Sequence, residues 1–262
     1  MPMISGKRVI AAMLTALMAV TFPANTAVSV YATGVTATEN AQTIDAQSTD
    51  AQALTPEEQK AQELQQVYDM PVESNGYKDW PQGPGTYGEA GIVMEVGTGA
   101  ILYAKNIDAH EYPASITKVL TELVALENGQ LTDNVTFSHD SVAFLQRGDS
   151  SVGLKEGNVI TLDQAMHAML LASANEAAYA IGESVGVNAG HDYNWFIEQM
   201  NSRCKELGGE NSNFANTNGL HDPNHYTCAR DMALIGRELF KHPEFFQIVQ
   251  TLNYTIPASE TT

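Results

Sequence analysis

Apolar residues along this 262-residue chain follow two rhythms. Ile92, Met94 and Val96 alternate with smaller or polar residues, Gly97-Thr98-Gly99 supplies a turn, and Ile101 to Lys105 return as a second strand. The pattern predicts a β-hairpin. After it, helical spacing dominates. In "SITKVLTELVALENG", Ile116, Val119, Leu120, Leu123 and Val124 form a buried stripe that Asn128-Gly129 ends. A second helix is predicted to open at Thr161, with Gln164 completing a capping box, and to run through "QAMHAMLLAS". The pattern breaks near Ser173 and resumes in "NEAAYAIGESVG". Further helices are expected over 193–207 and from Thr227 to Lys241, closed by Pro243, before a strand-like "LNYTIP". Two strands followed mostly by helix predict an α+β domain whose sheet is incomplete in this chain.

Upstream, the pattern changes. Lys7 and Arg8 precede the apolar run "VIAAMLTALMAV", and Val30-Tyr31-Ala32 fits a signal-peptidase site, with Asn25-Thr26-Ala27 as a second. Residues 1–32 therefore read as a secretory leader; a retained anchor would need a stop-transfer pattern, which is missing. Residues 33–85 are acidic and poor in core-forming side chains, and read as a flexible spacer. One short helix is plausible there, with Thr55 as N-cap, Pro56 at its first position and Glu58 closing a capping box. Residues 86–262 remain for one folded domain.

The balance of 13 Lys and Arg against 31 Asp and Glu, formally −18, argues against nucleic acid, because the phosphate backbone would be repelled. Cys204 and Cys228 allow one disulfide in an exported protein, or two small buried thiols.

Candidate chemistry starts at Ser115 and Lys118. Residues three apart share a helix face at about 5–6 Å between Cβ atoms, within reach of a hydroxyl–amine bond. A helix start favours developing negative charge, and burial there lowers a lysine pKa toward that of a base. Spacing alone decides little, since Ser202 and Lys205 repeat it in the middle of a polar-faced helix. In "LASANEAA", Ser173 could relay a proton and Asn175 could hold a substrate carbonyl or orient the lysine. Equally, they could be a helix C-terminal residue and the N-cap of the next helix.

"PASITK", then "SAN", then "NTNGLHDPNHYTCARDMALI" resemble the serine-type D-alanyl-D-alanine carboxypeptidases, the low-molecular-mass penicillin-binding proteins. The likeness runs from about Ala90 to the C-terminus and includes the hairpin. It implies the penicillin-binding protein/β-lactamase-like fold, helices packed on an antiparallel sheet. It also implies Ser115 as acyl-enzyme nucleophile, Lys118 as its base, and Ser173 with Asn175 completing the second motif. The substrate would be a peptidoglycan stem peptide, β-lactams would acylate the same serine, and no metal or organic cofactor would be required. The location would be extracytoplasmic, secreted or associated with the wall or membrane.

Two departures qualify this. The family's Lys-Thr-Gly motif, which binds the substrate carboxylate and completes the oxyanion hole, is absent. The sequence is therefore expected to be the N-terminal portion of a longer protein, or a truncated gene product, inactive and poorly stable alone, any C-terminal membrane-anchoring helix lying beyond it. Cys228 also stands where the family more often has a small hydroxyl residue. Alternatives are a β-lactamase, which would want a Glu-x-x-Leu-Asn pattern not evident after Asn175, and an inactive wall-binding fragment. His167 reads as packed or at the surface, and Asp149-Ser150-Ser151 as a loop near the cleft at most. His221 and His225 flank Asp222, a pattern that suggests metal ligands, but their loop matches a structural segment of the family.

Overall fold

The computed structural model describes residues 54–73, 79, 81 and 83–257; the expected leader and the spacer through 53 lie outside them. Helix α1, Pro56–Tyr68, starts at the predicted capping box: Thr55 Oγ1 accepts from the Glu58 amide while the Glu58 carboxylate accepts from the Thr55 amide. Its last turn meets the domain. The fully buried Lys105 donates its ammonium to the carbonyls of Val67, in the last turn of α1, and Thr86, so backbone acceptors replace the water that cannot reach it.

Strands β1 (Gly91–Met94) and β2 (Ile101–Lys105) form the expected antiparallel hairpin, pairing Gly91 with Lys105 and slipping between Val93 and Met94. That irregularity ends the first strand short of Val96. Both oxygens of Glu95 then accept turn amides, from Gly97 and Thr98. A second antiparallel pair, β3 (Asn134–Thr136) with β4 (Val159–Thr161), escaped the sequence reading because three-residue strands show no usable alternation. The short α3, His139–Ala143, escaped for the same reason.

The core is built around α2 (Thr117–Asn128), α4 (Leu162–Leu171), α5 (Asn175–Asn188), α6 (Tyr193–Glu206) and α7 (Ala229–Leu239). Leu120, Leu123 and Val124 of the predicted stripe are fully buried, each contributing about 1.5–3 kcal/mol; Ile116 and Val119 pack at its edge. On α5, Ala177, Ala178 and Ala180 are buried without exposure, and such small side chains let neighbouring helices approach closely. Helix α4 carries the predicted Thr161–Gln164 capping box. Cys228 caps α7, its sulfur accepting from the Asp231 amide, so the thiol takes an N-cap role usually filled by a hydroxyl. Cys204 and Cys228 are both buried free thiols.

The C-terminal end departs from expectation twice. Pro243 opens another helix, α8 (Pro243–Val249), at whose first position its missing N–H costs nothing. "LNYTIP" forms no strand: residues 251–257 run irregularly, and Tyr254 stacks on His167 with ring centroids 3.7 Å apart. Apolar alternation without a neighbouring strand to bond is not enough to make one.

Candidate active site

Ser115 sits just ahead of α2, in a 3₁₀ turn over Ala114–Ile116, rather than inside the helix. Ala114 adopts φ 47°, a left-handed conformation that costs an L-residue about 1 kcal/mol. Glycine makes the surrounding packing feasible. A Cβ on Gly219 would lie 1.8 Å from the Ala114 carbonyl oxygen, so the 216–219 loop presses directly on the turn that presents Ser115. A backbone bridge from Glu111 to Thr227 fastens the same loop to the segment leading into Ser115, and one from Asn213 to Tyr226 closes the loop on itself.

One turn later, Lys118 is 2% exposed. Its ammonium donates to three acceptors: Ser115 Oγ at 3.2 Å, Asn175 Oδ1 at 2.8 Å and the Asn218 carbonyl at 2.7 Å. All three N–H groups are thereby used. Burial pushes the Lys118 pKa down to about 8, while the Glu176 charge pulls it back upward. At pH 7 about one molecule in ten then carries the neutral amine, far more than an ordinary lysine would.

Ser173 lies in the break between α4 and α5, itself at φ 55°. That left-handed corner brings its hydroxyl to donate to Ser115 Oγ at 2.9 Å. Ala174 is the N-cap residue of α5, without a side-chain bond, so Asn175 is already helical and its amide is free to hold Lys118. The structure thus brings together Ser115, Lys118, Ser173 and Asn175. It leaves Ser202 and Lys205 exposed on α6, away from this cluster.

Sequence reasoning missed two participants. The Asn218 carbonyl is a backbone atom and carries no side-chain signature. Glu176, directly after Asn175, is fully buried, and a carboxylate in the first turn of a helix normally reads as a solvated dipole partner. The histidines fall elsewhere. His167 is packed, bonded to the Asp163 carbonyl at 2.8 Å. His225 accepts the Ala215 amide on Nδ1, which places its proton on Nε2 for donation to Thr117 Oγ1 at 2.8 Å. Burial drives its pKa down to about 4. His221 is exposed and pairs edge-on with Tyr112. Among the described residues no group of three or more His, Cys, Asp or Glu is placed to hold a metal ion.

The chain that carries this cluster has relatives among known proteins. The sequence profile of the D-alanyl-D-alanine carboxypeptidases, peptidase family S11, matches residues 81–261. The chain belongs to this family.

It is 34% identical over 170 residues to D-alanyl-D-alanine carboxypeptidase DacA of Haemophilus influenzae, and 32% over 168 residues to DacF of Bacillus subtilis. Those matches take in 63% and 62% of this chain, but only 42% and 41% of the relatives, so the chain spans about two fifths of their length. The crystal structure of the Streptomyces K15 DD-transpeptidase superposes with a TM-score of 0.56 at 28% identity, over 61% of this chain and 63% of that one. The D-alanyl-D-alanine carboxypeptidase of Mycobacterium tuberculosis gives 0.60 at 26% identity, over 73% and 69%. The fold is therefore the α+β fold of these DD-peptidases, with the part matched here mostly helical.

Proposed function

We propose that these residues carry the acylation centre of an exported serine peptidase that removes the terminal D-alanine from peptidoglycan stem peptides. The observation that carries the proposal is the unbroken chain of bonds running from Ser173 through Ser115 and Lys118 to Asn175. Neutral Lys118 takes the proton from Ser115 Oγ, which attacks the carbonyl between the two D-alanines. Ser173, bonded to the same oxygen, hands its proton to the leaving amine and is restored by the proton that Lys118 took. D-Alanine departs, and water then hydrolyses the ester on Ser115. Asn175 and the Asn218 carbonyl hold Lys118 on axis through the cycle.

A β-lactam presents a strained amide with the outline of the D-Ala-D-Ala end, and acylates Ser115 by the same steps. The Lys-Thr-Gly strand that the resemblance assigns to the substrate carboxylate is not among these 262 residues. Turnover is accordingly expected only of a protein that includes such a strand. Export is supported by the leader-like stretch before Ala32. No helix among the described residues is long and apolar enough to cross a membrane.

The test is release of D-alanine from a peptide ending in D-Ala-D-Ala by the intact protein. Release that depends on Ser115, and is lost in Ser115→Ala, supports the assignment. Release unchanged in Ser115→Ala overturns it.

A further inference from the structure

The loop between α3 and β4 runs beside the site, and the first turn of α5 holds it there. The Asn175 amide donates to the Ser150 carbonyl at 2.9 Å. Next to it, a single oxygen of Glu176 accepts three bonds: from Ser151 Oγ at 2.7 Å, the Val152 amide at 2.8 Å and the Gly153 amide at 3.2 Å. The second oxygen, Oε2, is buried and has no partner among the described residues. Glu176 shows no exposed surface, whereas Val152, which it fastens, is 40% exposed. A carboxylate buried this completely, with one oxygen unsolvated, is costly unless a nearby cation compensates it.

The neighbouring cation is Lys118, held by the residue that directly precedes Glu176. Other titratable groups around the amine do not supply the balancing charge. Glu122, one turn further along α2, is kept protonated by burial, with Asp163 of α4 adding to that effect. Tyr193 of α6 is neutral and bonded to Thr217, and His225 of the 213–228 loop is neutral and bonded to Thr117. Asp231 of α7 accepts from Asn211 and Ser212.

We propose that Glu176 is a positioning residue with two separable duties: one oxygen clamps the Ser151–Gly153 lip beside the site, while the carboxylate charge stabilises the Lys118 ammonium. The lip and the base are thereby coupled through one side chain, so that a substrate displacing the lip also alters the balance that holds the proton on Lys118. This consequence for catalysis rests on the function proposed for Ser115; the two duties themselves do not.

Two conservative variants of the intact protein separate them. Glu176→Gln keeps an oxygen for the clamp and loses the charge; Glu176→Asp keeps the charge and loses the reach. Lys118 is followed by NMR of ¹³C-labelled lysine, its signal assigned by its loss in Lys118→Ala, and the lip by hydrogen exchange of the Val152 and Gly153 amides. In Glu176→Gln the Lys118 titration is expected to move at least half a unit lower, with amide protection kept within about threefold. In Glu176→Asp the titration stays near wild type and the two amides exchange at least tenfold faster. An unmoved titration in Glu176→Gln, or undiminished protection in Glu176→Asp, overturns the corresponding duty. Neither readout requires peptidase activity, so a failure here is distinguishable from a failure of the Ser115 assignment.

Discussion

Glu122 is fully buried on α2, neither of its carboxylate oxygens has a hydrogen-bond partner among the described residues, and desolvation raises its pKa from 4.5 to about 8. Between those values the folded protein keeps a proton that the unfolded chain releases, so stability falls as pH rises. At about 1.4 kcal/mol per pKa unit, the loss between pH 5 and pH 8 is about 3 kcal/mol. Glu122→Gln preserves the shape and cannot ionise. For a domain of this size 1 kcal/mol moves Tm by roughly 2–4 °C. The two proteins should therefore melt within a few degrees of each other at pH 5, with the Gln variant gaining about 6–12 °C on wild type by pH 8. The assay is a series of thermal melts from pH 5 to pH 8, read as the difference between the two proteins so that other titrating groups cancel. A difference that stays constant with pH, or that comes to favour wild type, would refute the idea that burial leaves this carboxyl without compensation.

Other expectations follow from the same geometry. His225 is held neutral with its pKa near 4, below the ordinary 6.5, so the unfolded chain gains a proton first as pH falls and stability is lost across that interval. Denaturant titrations should show a wild-type loss of about 3 kcal/mol from pH 6.5 to pH 4 that His225→Gln lacks, although the variant starts about 1–3 kcal/mol lower at pH 7. Gly219→Ala forces a Cβ into the Ala114 carbonyl, whereas Gly190→Ala, at a nearly identical φ, meets nothing within 4 Å. The first should lower Tm by more than the second and cut β-lactam acylation at least tenfold; the second should leave acylation unchanged. Lys118→Ala removes the proposed base and strands three acceptors, and acylation should fall by about 10²–10⁴, measured by stopped-flow labelling.

How much of this was legible in the sequence depended on scale. The hairpin, the capping boxes at Thr55 and Thr161, and the Leu120–Leu123–Val124 stripe are local patterns, and the structure has them where the spacing puts them. Three-residue strands, and a Pro243 that opens a new helix where the pattern predicts only an end, fall below what periodicity resolves. At the site, Ser115 and Lys118 could be paired by spacing, but the left-handed turns at Ala114 and Ser173 that aim the hydroxyls could not. Those conformations depend on tertiary contacts, such as Gly219 against Ala114, that join segments a hundred residues apart. Glu176 and the Asn218 carbonyl were hidden for related reasons: one looks like a surface acid, the other is backbone.

The central claim is that Ser115 and Lys118 form a proton-exchanging couple. Incubating the intact protein with a labelled penicillin, digesting it and sequencing the labelled peptide tests this most directly. Label is expected on the peptide containing Ser115, and its near-complete loss in Lys118→Ala. Label on another peptide, or undiminished labelling without the lysine, would contradict it.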